Sequence, residues 1–183
     1  MPGQGIPGSV SGVGATDERM RIGTWFNLQQ ANRVLEGIVE HRLRSEADLS
    51  MPEYEVLFRL KHTAGQPLLM SEIASQLLNS PSGATRIADR LEAEGLIARE
   101  TPHDNRRVVH VTLTERGHKV LENADGVFRD ALRQSFAAYL GDADVNELRR
   151  LMRKLLEGNG AWTEARCSPG LAPLDERPDD RTR

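Results

Sequence analysis

Apolar residues recur at three- and four-residue intervals along most of the chain between residues 18 and 158, a spacing that predicts amphipathic helices. A first helix is predicted over residues 18–46. Its apolar positions are Ile22, Trp25, Leu28, Leu35, Ile38, Val39 and Leu43. Ser50-Met51-Pro52-Glu53 has the form of a capping box and predicts a second helix that ends near Gly65. Its buried stripe would comprise Tyr54, Leu57 and Phe58, and a short third helix would bury Ile73, Ala74 and Leu77.

A fourth helix is predicted from Pro81 to about Glu94, with Ser80 as its N-cap and Gly95 at its left-handed end. One face of this helix is apolar because its members fall at positions i, i+3, i+4 and i+7. These members are Ala84, Ile87, Ala88 and Leu91.

The period changes to two after this helix, which predicts strands over residues 96–100 and 107–113 joined by a turn. Helical spacing resumes after Thr114 and continues to about Leu140, and a last helix capped by Asp144 and Glu147 ends at Gly158. The predicted fold is therefore mainly α with a small β-hairpin wing. The element order is that of a winged helix-turn-helix, whose second helix enters the major groove of DNA.

The polar face of the fourth helix is the first candidate DNA-binding surface. Ser82, Thr85, Arg86 and Asp89 share this face, and Ser80 and Gly83 lie beside it. Small hydroxyl residues at a helix N-terminus permit close approach to phosphates. Arg86 is the candidate base contact, since a guanidinium binds guanine O6 and N7 bidentately. A solvated helix face is the alternative interpretation.

The turn between the two strands is the second candidate DNA-binding surface. Arg106 and Arg107 lie at its tip, and Arg side chains suit a narrow minor groove. Asp104 is expected to have a structural role, holding a neighbouring Arg or capping the turn.

Composition and charge restrict the remaining possibilities. The net charge of −3 means that DNA affinity has to come from locally placed Arg residues. No run of about 20 apolar residues and no secretory signal pattern is present, which predicts a cytoplasmic protein without membrane contact. Residues 1–17 and 159–183 are predicted to be disordered tails. The single cysteine, Cys167, and the loosely spaced histidines predict no metal site and no cofactor.

The segment from Met51 to Gly117 resembles the MarR family of bacterial regulators. The resemblance rests on residues 77–86, on residues 89–97, and on Asp104-Asn105-Arg106-Arg107 followed by Leu113-Thr114-Glu115-Arg116-Gly117. It implies one domain over residues 18–158, with a winged helix-turn-helix at 50–114 and dimerisation helices at 18–46 and 115–158. It also implies a homodimer that binds a palindromic operator, represses nearby genes and responds to a small-molecule ligand.

Candidate ligand contacts are Trp25, Phe26, His41 and Tyr54, although core or dimer packing is the favoured alternative for Trp25 and Phe26. The alternative function is a winged-helix dimerisation or protein-interaction module without specific DNA binding. The small residues of the fourth helix disfavour it, because a protein-binding face exposes aromatic or aliphatic anchors. An enzyme is not expected, because the sequence has no phosphate-binding glycine loop, no paired catalytic carboxylates and no nucleophile with a base.

Overall fold

A computed structural model describes residues 15–62, 67–77, 81–102, 108–163 and 167. The chain divides into two compact units, Met1–Ile38 and Val39–Arg183. The elements in chain order are α1 (Ala15–Ala47), α2 (Met51–Lys61), β1 (Leu68–Leu69), α3 (Met70–Gln76), α4 (Pro81–Ala93), β2 (Ile97–Glu100), β3 (His110–Leu113), α5 (Glu115–Leu132), a π-helical turn (Arg133–Ala137) and α6 (Asp142–Gly158). The predicted mainly α fold with a small β wing is confirmed. Most of the two predicted tails lies outside the described residues.

The capping box at Ser50 is confirmed. The Ser50 hydroxyl accepts a hydrogen bond from the Glu53 N–H at 3.4 Å, and the Glu53 carboxylate accepts one from the Ser50 N–H at 2.7 Å. The predicted end of α2 near Gly65 is wrong. The helix ends at Lys61, because the His62 N–H closes the last turn onto the carbonyls of Phe58 and Arg59.

Two further helix boundaries differ from the prediction, the start of α6 and the end of α5. Asp144 does not begin α6. It lies at the third helical position, and its carboxylate accepts a hydrogen bond from the N–H of Gly141, which is the N-cap. The fifth helix does not continue as an α-helix to Leu140, because the backbone changes to π-helical geometry after Leu132.

The wing is a three-stranded antiparallel sheet in the order β1-β3-β2, not the predicted two-stranded hairpin. Leu68 pairs with Val111 in β3, and Ile97 and Glu100 of β2 pair with Leu113 and His110. The sequence analysis missed β1 because two residues are too few to show a period of two.

The second unit is built around an aliphatic core to which each of α2 to α5 contributes. Its fully buried large side chains are Leu43, Leu49, Val56, Leu57, Ile73, Leu91, Val111 and Leu121. Ala84 and Ala88 are also fully buried, so the predicted apolar face of α4 is confirmed for three of its four members, with Ile87 half-buried.

A polar cluster crosses from α2 to α5 inside this core. The Tyr54 hydroxyl donates to the Asp125 carboxylate at 3.0 Å, and the Lys61 ammonium lies 2.9 Å from the other carboxylate oxygen. Asp125 is only 5% exposed. Burial, and secondarily the negative charge of Asp125, raises the pKa of Tyr54, so the hydroxyl stays protonated as a donor. The cluster therefore satisfies the buried carboxylate and joins the two helices.

One junction joins the end of α4, the two long strands and the start of α5. Gly95 ends α4 with φ of 70°, which confirms the predicted left-handed position. The Thr114 hydroxyl donates to the Gly95 carbonyl at 2.7 Å and accepts from the Gly117 N–H at 2.9 Å. A β-carbon on Gly117 would overlap the Leu96 carbonyl oxygen, so only glycine permits this approach.

Most of α1 lies in the first unit, where its large apolar side chains are exposed. Met20, Ile22, Trp25, Phe26, Val34 and Ile38 are between 39% and 67% exposed. Val39 and Leu43, which follow in the second unit, are buried. The apolar stripe predicted for the first helix is thus only partly core.

We expect Gly117→Ala to lower the free energy of unfolding by about 2 kcal/mol or more, because the added methyl group meets the backbone of Leu96. Gly126→Ala on the same helix is the matched control, since open space surrounds it. This control should be neutral or stabilising by up to about 1 kcal/mol. Urea unfolding at one protein concentration measures both. Equal stability of the two variants would contradict the steric role of Gly117.

Candidate nucleic-acid interface

The two faces of α4 differ as the sequence predicts. Ala84, Ala88 and Leu91 are completely buried, whereas Thr85, Arg86 and Asp89 are exposed. The structure therefore brings three of the predicted contact residues together on one solvent-facing surface, and Gly83 is half-buried beside them. Ser82 belongs to α4, but its side chain is outside the described part of the chain, and so is the whole of Ser80.

Arg86 lines a groove of about 330 Å³ between α4 and the start of α2. The groove is also lined by Pro52, Glu53, Gly83, Ile87 and Arg90. Among the described residues, Arg86 makes no hydrogen bond or ion pair, so its guanidinium is available to an external acceptor. Arg90 differs, because its Nε lies 3.1 Å from the Glu53 carboxylate and 2.9 Å from that of Glu94.

Asp89 forms an ion pair with Arg99 of β2, a residue that the sequence analysis did not single out. The distance from the Asp89 carboxylate to Arg99 Nη1 is 2.7 Å, and Arg99 Nη2 donates to the Thr85 carbonyl at 3.5 Å. The Arg99 side chain is 19% exposed, whereas its partner Asp89 is 57% exposed, so the pair lies at the surface with only its arginine shielded. Arg99 therefore ties the exposed face of α4 to the wing.

A signal for Arg99 exists in the sequence. A carboxylate on a helix that faces phosphates requires a neutralising partner, because like charges repel. Asp89 poses the same requirement, and Arg99 is the basic residue of the following strand. The sequence could not show that the Arg99 side chain reaches the helix, because this depends on how β2 packs against α4.

The wing tip predicted to contact DNA, with Asp104, Arg106 and Arg107, lies outside the described residues. The described strands β2 and β3 stop on either side of it, and Pro102 and Val108 are the nearest described positions. The predicted roles of these three residues therefore stay predictions.

The candidate ligand contacts lie in different environments. Tyr54 is buried, stacks on Phe128 with ring centroids 4.7 Å apart, and already donates its hydroxyl hydrogen to Asp125. His41 is exposed, as are Trp25 and Phe26 in the first unit. A ligand role for these four residues stays a prediction.

Two absences hold for the described part of the chain. No three of its His, Cys, Asp and Glu side chains come close enough together to hold a metal ion. None of its helices combines the length and the apolar character that a membrane-spanning segment requires.

Comparisons with known proteins agree with this geometry. The model of the MarR family matches residues 49–109, from the start of α2 to the last residues before β3. The transcriptional repressor MprA of Escherichia coli is 34% identical over 103 residues, which is 56% of this chain and 58% of MprA. The chain thus matches less than two thirds of the length of that relative.

A second relative and a solved structure extend the match. The HTH-type transcriptional regulator YhbI of Bacillus subtilis is 30% identical over 61% of this chain and 72% of its own length. Sco3205, a MarR family regulator from Streptomyces coelicolor solved in complex with DNA, superimposes with a TM-score of 0.71 at 25% identity. This superposition covers 81% of this chain and 94% of Sco3205. The chain therefore belongs to the MarR family, whose members are transcription regulators rather than enzymes.

Proposed function

We propose that this protein is a homodimeric transcriptional repressor that binds a palindromic operator through α4 and the wing. The observation that carries the proposal is the exposed guanidinium of Arg86, which has no partner among the described residues, on a helix whose opposite face is buried in the core. The relative MprA is a transcriptional repressor, which supports repression as the effect of binding. Sco3205 was solved in complex with DNA, which supports DNA as the partner. A protein that binds an operator has to be in the compartment that holds the chromosome, so the proposal includes a cytoplasmic location.

In this proposal the residues of α4 have different roles in DNA binding. Arg86 contacts a guanine, and Thr85 and the N-terminal turn with Ser80, Ser82 and Gly83 approach phosphates. Asp89 is a positioning residue, because its charge is already engaged by Arg99. Arg106 and Arg107 would enter the minor groove, with Asp104 supporting the turn.

The proposed self-association rests on large apolar side chains of α1 and α6 that are exposed in a single copy. Five side chains of α1 from Met20 to Val34 are about half exposed or more, and α6 has no buried residue, with Leu151 and Leu155 41% and 51% exposed. Large exposed apolar patches mark interfaces. A two-fold dimer would present two recognition helices to half-sites about 34 Å apart.

A small-molecule effector is part of the same proposal. A ligand that binds the DNA-competent and the DNA-incompetent arrangements of a dimer with different affinities shifts the population between them. The candidate contacts are Trp25, Phe26, His41 and Tyr54. The alternative of an interaction module without DNA binding is an outcome of the first experiment below.

Arg86→Ala should weaken binding to a duplex carrying the operator about 5- to 150-fold, because a bidentate contact to guanine contributes about 1–3 kcal/mol of discrimination. Binding to a scrambled duplex should change much less. Fluorescence anisotropy on DNA from upstream of the gene measures both. The control is Arg150→Ala on α6, where the arginine is paired with Glu147. Wild-type binding that is equal on operator and scrambled DNA would favour the interaction module.

Asp89→Asn and Arg99→Gln should each weaken operator binding, and the double variant should lose less than the sum of the two. A coupling energy of about 0.5–3 kcal/mol is typical of residues in direct contact. Arg99→Gln should be the more harmful single change, because it leaves the Asp89 carboxylate unpaired and facing phosphates. The same anisotropy assay measures the cycle. Additive losses would assign Asp89 a direct contact with DNA instead of a positioning role.

Leu151→Ser combined with Leu155→Ser should raise the dimer dissociation constant at least about tenfold, since each buried Leu contributes about 1.5–3 kcal/mol. Lys154→Ser is the matched control on the same helix and should leave the constant within about twofold. Sedimentation velocity over a range of protein concentrations measures both. A wild-type protein that stays monomeric at concentrations well above its operator affinity would refute the dimer.

A further inference from the structure

A buried carboxylate lies beside the groove that Arg86 lines. The side chain of Glu53 is only 5% exposed, and its two carboxylate oxygens have different partners. Oε2 accepts hydrogen bonds from the Ser50 N–H and the Ser50 hydroxyl, both at 2.7 Å, and Oε1 lies 3.1 Å from the Nε of Arg90. The carboxylate that completes the capping box of α2 therefore also binds an arginine of α4.

The helix cap accounts for only part of this arrangement. In a capping box the third helical residue accepts a hydrogen bond from the N-cap N–H, and a neutral glutamine serves as well as a glutamate. Burying a charged carboxylate costs free energy unless a cation pairs with it. The charge of Glu53 therefore has a role beyond the cap of α2, and Arg90 is the cation that pairs with it.

Arg90 is held through one of its three guanidinium nitrogens. Its Nε lies 3.1 Å from the Glu53 carboxylate and 2.9 Å from that of Glu94. Among the described residues, its terminal Nη1 and Nη2 atoms have no hydrogen bond or ion pair. The side chain is 48% exposed and lines the same groove as Arg86. An arginine anchored at Nε presents two terminal nitrogens in a fork that matches two phosphate oxygens.

The two carboxylates hold Arg90 from different elements. Glu94 follows Arg90 by four residues and is 37% exposed, so this ion pair competes with water. Glu53 belongs to the first turn of α2 and is almost completely buried. A buried carboxylate with two further hydrogen bonds has a fixed position. Glu53 rather than Glu94 therefore determines where the Arg90 guanidinium lies relative to the groove.

The backbone at the start of α2 leaves no N–H group for an anion. Such groups are the usual anion ligands at a helix N-terminus. Each N–H of this turn already has an acceptor, which is the Glu40 carboxylate for Met51, the Ser50 hydroxyl for Glu53 and the Ser50 carbonyl for Tyr54. Pro52 has no N–H. A phosphate in the groove has to be bound by side chains, and Arg86 and Arg90 are the cations among the described residues of its lining.

We propose that Glu53 is a positioning residue for DNA binding, which holds Arg90 so that its two Nη atoms clamp a backbone phosphate. This role rests on the proposed function and adds to it a contact that is independent of base sequence. Arg86 distinguishes bases, whereas the pair of Glu53 and Arg90 fixes the register of α4 on the DNA backbone.

Glu53→Gln is the central variant, because glutamine retains the capping box and removes the charge that holds Arg90. The affinities for operator and for scrambled DNA should both fall about fivefold or more, and their ratio should stay within about twofold. The slope of log affinity against log salt concentration should become shallower by about 0.9 for each lost phosphate contact, or about 1.8 for a dimer. Fluorescence anisotropy of labelled duplexes between about 50 and 200 mM salt measures these quantities.

Arg90→Gln should cause the same uniform loss of affinity, and the double variant should lose no more than either single variant, because each change removes the same contact. Arg90→Lys should not restore binding, since one ammonium cannot bind Glu53 and a phosphate through separate nitrogens. Both Arg90 variants test the clamp even if thermal unfolding shows that Glu53→Gln does not fold. Glu147→Gln is the matched control, because it removes a carboxylate from the Arg150 pair on α6 and should leave the salt slope unchanged.

Three results would overturn the role of Glu53. Tighter binding of scrambled DNA by Glu53→Gln would show that Glu53 withholds Arg90 from DNA. An unchanged salt slope in folded Glu53→Gln would leave Glu53 with its capping role alone. Full binding by Arg90→Lys would show that charge suffices at residue 90.

Failure of the proposed function gives a different result. A parent protein that prefers its operator, with an unchanged slope in Glu53→Gln, retains the proposed function and loses only the clamp. A parent protein that binds operator and scrambled DNA equally refutes the specific regulator, and the salt slope of Glu53→Gln still tests the phosphate contact. A parent protein that binds no DNA refutes both.

Discussion

The fold of the second unit depends on one junction, where the Thr114 hydroxyl joins the Gly95 carbonyl to the Gly117 N–H. The end of α4, the first residue of β2, the last residue of β3 and the first turn of α5 meet there. The contact requires glycine at residue 117, because any side chain would displace the Leu96 carbonyl. The helix α4, the wing and α5 are thereby held in one arrangement, and the direction of α4 relative to the wing follows from it.

The net charge of −3 is the small difference between 24 basic and 27 acidic residues, so the local arrangement of these charges decides where the proposed DNA-binding surface lies. Around α4, Arg90 and Arg99 are engaged by carboxylates, and Arg99 neutralises the acidic residue that shares the exposed face. Of these three arginines, only Arg86 has a guanidinium that no described residue engages. A local surface of this kind explains how the overall charge and the proposed DNA binding are compatible.

The buried Asp125 carboxylate of α5 joins this helix to α2. Tyr54 and Lys61 of α2 both reach it, so a helix that supports α4 is joined to the helix that continues toward α6. A satisfied polar cluster in a core of this kind favours one packing arrangement over its competitors. The exposed apolar residues of α1 and α6 show the opposite situation, with surface that a single copy does not cover.

Local rules in the sequence determined the order of the helices and of the two longer strands, the Ser50 capping box, the left-handed Gly95 and the buried face of α4, because each depends on residues within about two helical turns of one another. Only the tertiary structure decided that β1 joins the wing, that the Asp89 carboxylate is neutralised by Arg99, and that Gly117 meets the Leu96 carbonyl. These contacts connect segments that lie far apart in the chain, and no periodic pattern in the sequence indicates such contacts. They form only when the helices and strands pack together.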